Sequence, residues 1–171
     1  MNQEIEKVFL AAYEQYADAI YRHCSFRVSS KDLAKDLTQD TFFKAWKYMS
    51  EGKQVENMRA FLYQIVKNLI VDEYRKKKTE SLDKMLEEIP NFSPASDDHE
   101  VMEKQILTRE VFETLGKLPE EEREILTMRY VDDLSPKEIA EVLNISANYV
   151  SVKINRATEI LREIVINGQA K

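Results

Sequence analysis

The chain is predicted to be all-α, built as two small helical domains joined by a flexible acidic linker, with a helix-turn-helix in the second. Three observations predict this. Among 171 residues there are only 3 Gly and 4 Pro, and strong helix formers dominate. Apolar residues recur at helical rather than alternating spacing along most of the chain. Charge is divided unevenly. Residues 1–78 carry 14 Lys/Arg against 11 Asp/Glu, residues 79–107 carry 2 against 8, and residues 108–171 carry 9 against 12. The net charge of −6 is therefore concentrated in the middle, which points to separate roles along the chain.

Residues 3–28 are predicted as one amphipathic helix, with Ile5, Val8, Phe9, Ala12, Tyr16, Ala19, Ile20 and His23 near one face. Ser29-Ser30-Lys31-Asp32 breaks the chain, and Ser29 is the expected cap of a second helix. That helix runs to about Met49, its apolar stripe being Leu33, Leu37, Thr41, Phe42, Ala45, Trp46 and Met49. After a loop at 50–57, Asn57 is expected to cap a third helix reaching Lys78. Its inward positions are Phe61, Leu62, Ile65, Leu69 and Val71 or Tyr74.

Residues 79–105 hold Pro90, Pro94, a turn cluster and paired acids, and are predicted to be the linker. Within it Leu82, Met85, Leu86 and Ile89 could form a brief helix or a docking segment. From about Glu100 a helix resumes through Val111, Phe112 and Leu115. Pro119 starts another, with Ile125, Leu126, Met128 and Tyr130 as core.

The most informative stretch is Ser135–Arg156. Ser135 caps a short helix with Pro136 at its first position, and Glu138 completes a capping box. Asn144 suits the left-handed turn that follows, and Ser146 caps the next helix. On that helix Val150, Ile154, Ala157 and Leu161 form a buried stripe, and Ala140 permits close approach of the two helices. The opposite arc carries Asn148, Tyr149, Ser151, Val152, Lys153, Asn155 and Arg156, mostly groups able to contact base edges or phosphates.

Several function classes find no support. The glycines stand apart at 52, 116 and 168, so no phosphate-binding loop is formed. His23 and Cys24 are adjacent on a helix and His99 lies in the linker, which does not make a zinc site. No catalytic, metal or cofactor site is expected, and the chain is read as no enzyme. The N-terminus lacks a signal-peptide pattern, no apolar run reaches spanning length, and one cysteine fits a reducing cytoplasm. A chain this acidic binds duplex DNA weakly alone, because phosphate neutralisation supplies most non-specific affinity. A partner is expected to hold it there.

Three segments resemble one family. Asp36-Leu-Thr-Gln-Asp-Thr-Phe-Phe-Lys-Ala-Trp46 looks like the polymerase-core-binding helix of bacterial sigma-70-type factors. Phe61–Lys78 is similar to their promoter-reading helix, and Leu118–Tyr130 with the helix-turn-helix resembles their second conserved region. Two regions and a linker in so short a chain match the extracytoplasmic-function (ECF) subfamily. The resemblance implies domains at 1–78 and 106–171 with the linker at 79–105. It also implies binding to core RNA polymerase, to the −35 duplex and to the single-stranded −10 element, and an anti-sigma factor as inhibitor.

Asp36, Gln39, Asp40 and Phe43 are spaced to share one helix face, and the resemblance makes that face the polymerase contact. It places Asn68 against a base turned out of the stack, with Arg59, Lys67, Arg75 and Lys76, and more weakly Lys77 and Lys78, along the −10 phosphates. Asn148, Tyr149, Ser151, Val152 and Asn155 would read the −35 duplex, with Lys153 and Arg156 mainly on phosphates. Ser151 stands where the family often has a basic residue. Two other readings stay open. A stand-alone helix-turn-helix regulator binding duplex DNA as a dimer would explain residues 118–162 only, and a protein-binding adaptor would use the helix pair merely for packing.

Overall fold

The computed structural model describes residues 3–28, 30–81 and 114–169. Among these are α1 (Gln3–Ser25), α2 (Lys31–Ser50), α3 (Met58–Ser81), α4 (Glu120–Tyr130), α5 (Pro136–Leu143) and α6 (Ala147–Gln169). The chain divides into two compact units, Met1–Ala95 and Ser96–Lys171. The expected segments Leu82–Ile89 and Glu100–Phe112, and most of the expected linker, lie outside the described residues.

In the first unit, α1, α2 and α3 pack on one another around a single core. Helix α1 ends at Ser25 rather than at 28, since Arg27 and Val28 donate backbone bonds to the Cys24 carbonyl and turn the chain. Helix α2 is capped by Ser30, whose hydroxyl accepts from the Leu33 amide at 3.3 Å. The expected cap Ser29 lies outside the described residues. Either serine satisfies the sequence pattern, and the geometry selects the second. Asn57 caps α3 as expected, its Oδ1 accepting from the Ala60 amide at 3.1 Å. Helix α3 continues to Ser81, so its last turn takes up positions expected in the linker.

The core face of α3 holds Leu62 as expected and otherwise differs from expectation. Ala60, Leu62, Tyr63, Val66 and Ile70 are buried, Phe61, Ile65 and Leu69 are half-buried, and Val71 and Tyr74 are exposed. The reason is that α3 carries two adjacent apolar stripes, and periodicity alone does not choose between them. Packing against α1 and α2 chooses the Leu62–Val66–Ile70 stripe. Phe61 instead lies against the Tyr48 ring at 4.8 Å. Tyr74 is tied to the end of α1 by a hydroxyl bond to the Arg27 carbonyl. On α1, Ile20, His23 and Cys24 are buried, whereas Val8 is exposed. His23 meets the Tyr63 ring edge-on at 5.0 Å, which makes it a core aromatic.

In the second unit α4, α5 and α6 pack against one another. The Ser135–Glu138 capping box is formed in both directions, at 3.2 and 2.8 Å. Asn144 adopts φ 55°, ψ 48°, its own amide and that of Ile145 closing onto Glu141 and Ala140. This Schellman-type ending reverses the chain within a few residues. Ser146 then caps α6 by accepting from the Tyr149 amide at 3.2 Å. Val150, Ile154 and Ala157 are buried, as are Ile125, Leu126, Met128, Ile139 and Val142 on the two helices that α6 packs against. Leu161 is half-buried. Tyr130, expected in the core, is 65 % exposed. It is the last residue of α4 and stands beyond the end of the core, while Leu134 in the following turn is buried.

Candidate nucleic-acid interface

Helix α2 buries Ala34, Leu37, Thr41, Phe42, Ala45 and Met49 and so points the opposite arc outward. Asp36, Gln39, Asp40 and Phe43 are all exposed there, Phe43 by 66 %. Phe43 is a single exposed aromatic ring beside two carboxylates and an amide. Phe42, its neighbour in sequence, is buried and meets Phe9 and Tyr13 edge-on. Helical geometry alone separates the two rings. An open groove of about 850 Å³ runs between α2 and α3, its walls including Asp36, Asp40, Asp72, Glu73, Arg75 and Lys76.

On α3, Asn68, Arg75 and Lys76 are exposed and Arg59 and Lys67 half-exposed. Arg75 is drawn toward Asp72 at 3.8 Å, both side chains well exposed, a pair of small energetic weight. The loop entering α3 turns at Gly52, whose φ of 80° only glycine adopts without strain. Beside it Lys53 pairs with Glu51 at 2.7 Å and lies over the Tyr48 ring. That contact holds Glu51 below its ordinary carboxylate range. This loop side of the site carries no recognisable pattern in the sequence.

On α6, Asn148, Tyr149, Ser151, Val152, Asn155 and Arg156 are exposed on the arc away from Val150, Ile154 and Ala157. Ser151 donates its hydroxyl proton to the Ala147 carbonyl at 3.0 Å. Its outward side therefore offers acceptor lone pairs, suited to the amino group of adenine or cytosine. Lys153 does not project like its neighbours. Its ammonium bonds Glu121 at 2.5 Å and Glu122 at 3.3 Å, and its side chain is only 14 % exposed. Tyr149 donates to the same Glu121 carboxylate at 2.9 Å. Hydrogen bonds from Lys153 and then Tyr149 hold Glu121 below the ordinary carboxylate range, and the reciprocal bond to Glu121 raises Lys153 above the ordinary lysine range. Lys153, expected on phosphate, is thus already engaged within the unit.

Among the described residues no group of His, Cys, Asp and Glu is arranged to hold a metal ion. None of the described helices is long and apolar enough to cross a membrane.

Comparison with known proteins accounts for both units. Residues 12–80 match the sigma-70 region 2 family and residues 108–161 the sigma-70 region 4 family. The ECF RNA polymerase sigma factor SigM of Bacillus subtilis is 31% identical over 159 residues, spanning 91% of this chain and 94% of SigM. SigW of the same organism is 30% identical over 166 residues, spanning 92% and 89%. Two solved structures share the fold. The sigma factor RpoE of Bartonella quintana, in complex with the anti-sigma factor NepR, has a TM-score of 0.69 at 21% identity, covering 93% of this chain and 97% of that one. CnrH in complex with the cytosolic domain of CnrY has a TM-score of 0.66 at 23% identity, covering 95% and 90%. A relative alike over nearly the whole of both chains, with both conserved regions in order, places this protein among the ECF sigma factors of the sigma-70 family, alternative specificity subunits of RNA polymerase.

Proposed function

We propose that the two units divide promoter recognition, with the α2 face on core polymerase, α3 on the −10 strand and α6 on the −35 duplex. The observation that carries this is the outward presentation of Asp36, Gln39, Asp40 and Phe43 on a helix whose other side is buried. Two carboxylates beside an aromatic anchor suit a basic partner helix, and such anchors dominate interface energetics.

Asn68 stands exposed on the side of α3 away from Val66 and Ile70. Its amide offers a paired donor and acceptor to an unstacked base, whose extrusion costs a few kcal/mol. Lys67, Arg75 and Lys76 supply charge along the strand toward that face, and Arg59 adds charge from the first turn of the helix. On α6 the base contacts belong to Asn148, Tyr149, Ser151, Val152 and Asn155, with Arg156 on phosphate. The protein acts by placing polymerase rather than by chemistry of its own, and it works in the cytoplasm with that enzyme. An anti-sigma factor is its natural inhibitor, a reading supported by the fold it shares with sigma factors solved in such complexes.

Run-off transcription with purified core polymerase tests this. Promoter-dependent transcripts should require both proteins, and neither should suffice alone. A dimeric regulator would instead give a palindromic footprint on duplex DNA without polymerase, and that result overturns the proposal.

A further inference from the structure

The α4–α6 contact joins residues that the sequence assigns to unrelated tasks. Glu121 and Glu122 lie in the first turn of α4, where acids suit the helix dipole and no side-chain cap is present. Lys153 and Tyr149 lie one turn apart on the DNA-facing helix. The Glu121 carboxylate takes the polar tips of both, at 2.5 and 2.9 Å. The Lys153 ammonium also reaches Glu122 at 3.3 Å and lies 5.4 Å from the Tyr149 ring centre.

An ammonium and a phenol hydroxyl are ordinary donors to a DNA phosphate. Here both converge on a carboxylate, which has the same charge sign and accepts the same kind of charge-assisted bond. Exposure decides which charge an incoming strand meets. The Glu121 side chain is 49 % exposed, Lys153 is 14 % and Glu122 is 7 %. The outermost charge of the cluster is therefore negative, on a helix otherwise placed to approach a polyanion.

We propose that Glu121 is a built-in competitor for DNA, withholding Lys153 from backbone phosphate and the Tyr149 hydroxyl from the groove, and so setting the strength and salt sensitivity of duplex binding. The proposal rests on the reading of α6 as the duplex-facing helix. Engagement by DNA must exchange a carboxylate for a phosphate at Lys153, a nearly balanced trade that adds little affinity. Base-reading groups such as Ser151 and Asn155 then contribute a larger share of what affinity remains, and polymerase supplies the rest. The depressed proton affinity of Glu121 and the raised one of Lys153 mean that both stay charged at neutral pH.

The test uses the full chain and a fluorescent pool of short random-sequence duplexes, with affinity measured by anisotropy across salt. Glu121→Gln keeps a similar shape and removes the competing charge. It should tighten binding several-fold at low salt. It should also steepen the salt dependence by one phosphate contact, about a 3- to 4-fold greater loss between 50 and 200 mM. Combining it with Lys153→Met should erase both gains, because the released cation is then absent. Equal gains with and without Lys153 would mean simple removal of a negative charge, and would overturn the proposal. Unchanged affinity or an unchanged salt slope in Glu121→Gln would also overturn it, even where the double variant melts early. Arg156→Ala separates this from the underlying reading. Weaker binding to every duplex with Arg156→Ala, beside a neutral Glu121→Gln, removes only the competitor. Unchanged binding with both Arg156→Ala and Ser151→Ala removes α6 as the duplex-facing helix.

Discussion

The exposed face of α2 and the exposed arc of α6 are both polar stripes opposite a buried one, yet they present their side chains differently. On α2, Asp36, Gln39, Asp40 and Phe43 are all exposed, as helical spacing alone dictates. On α6, Tyr149 and Lys153 are gathered in by Glu121, which lies 28 and 32 positions before them in sequence. The difference teaches that a helix face can be read from spacing only where no neighbouring helix reaches around to it. Where one does, the face keeps its residues and loses part of its charge.

The largest expected effect tests the simpler face. Asp40→Lys places a cation against a basic partner, which costs several kcal/mol of interface energy. Co-migration with core polymerase should be lost while circular dichroism and thermal melting stay nearly unchanged. Normal polymerase binding would break the comparison at its first member. A smaller effect addresses α6: Ser151→Ala should cost about 1–3 kcal/mol at one −35 position, whereas Arg156→Ala should weaken all sequences alike. A promoter-library selection with the holoenzyme separates the two patterns. If Ser151→Ala leaves every base preference intact, Ser151 is not a reader.

The caps of the two helices sharpen the contrast further. Ser30→Ala and Ser146→Ala should each cost about 1 kcal/mol of stability, with Ser29→Ala nearly silent. Thermal melting of the three variants reads this directly, and a larger loss from Ser29 would reassign the α2 cap.

The smallest effect is one of pH. Glu121 has a lowered proton affinity in the folded unit, so its contribution is present above the ordinary carboxylate range and lost as pH falls through its depressed value. Lys153 has a raised one, so its contribution is complete below the ordinary lysine range and lost as pH rises beyond it. Melting of the wild type relative to Glu121→Gln should therefore show a small advantage that is flat near neutrality and disappears in acid. An advantage that persists at low pH would mean the contact does not depend on the carboxylate charge.

Much of this architecture is legible in the sequence because its signals are local. The capping box at Ser135, the left-handed Asn144 and the Ser146 cap involve residues within four positions of one another, and each forms as read. The α2 face is equally local. What escapes such reading is decided by tertiary packing. Leu62–Val66–Ile70 and Phe61–Ile65–Leu69 are equally apolar stripes, and only α1 and α2 choose between them. Tyr130 is apolar at the right period but stands at a helix end beyond the core. Glu121 and Glu122 give no hint in sequence of their partner on α6, because solvated acids are the ordinary content of a first helical turn.

The buried stripe chosen by α3 has a consequence for what changes in length this protein tolerates. Leu62, Tyr63, Val66 and Ile70 lock the rotation of the helix that carries Asn68. One residue inserted between Tyr63 and Asn68 turns everything beyond it by about 100° about the helix axis. Asn68 would swing off its exposed face, or Val66 and Ile70 would leave the core. The loop at 51–56 has no such coupling, since its residues are nearly all exposed. Insertions and deletions therefore have room in that loop and none in the helix that follows it.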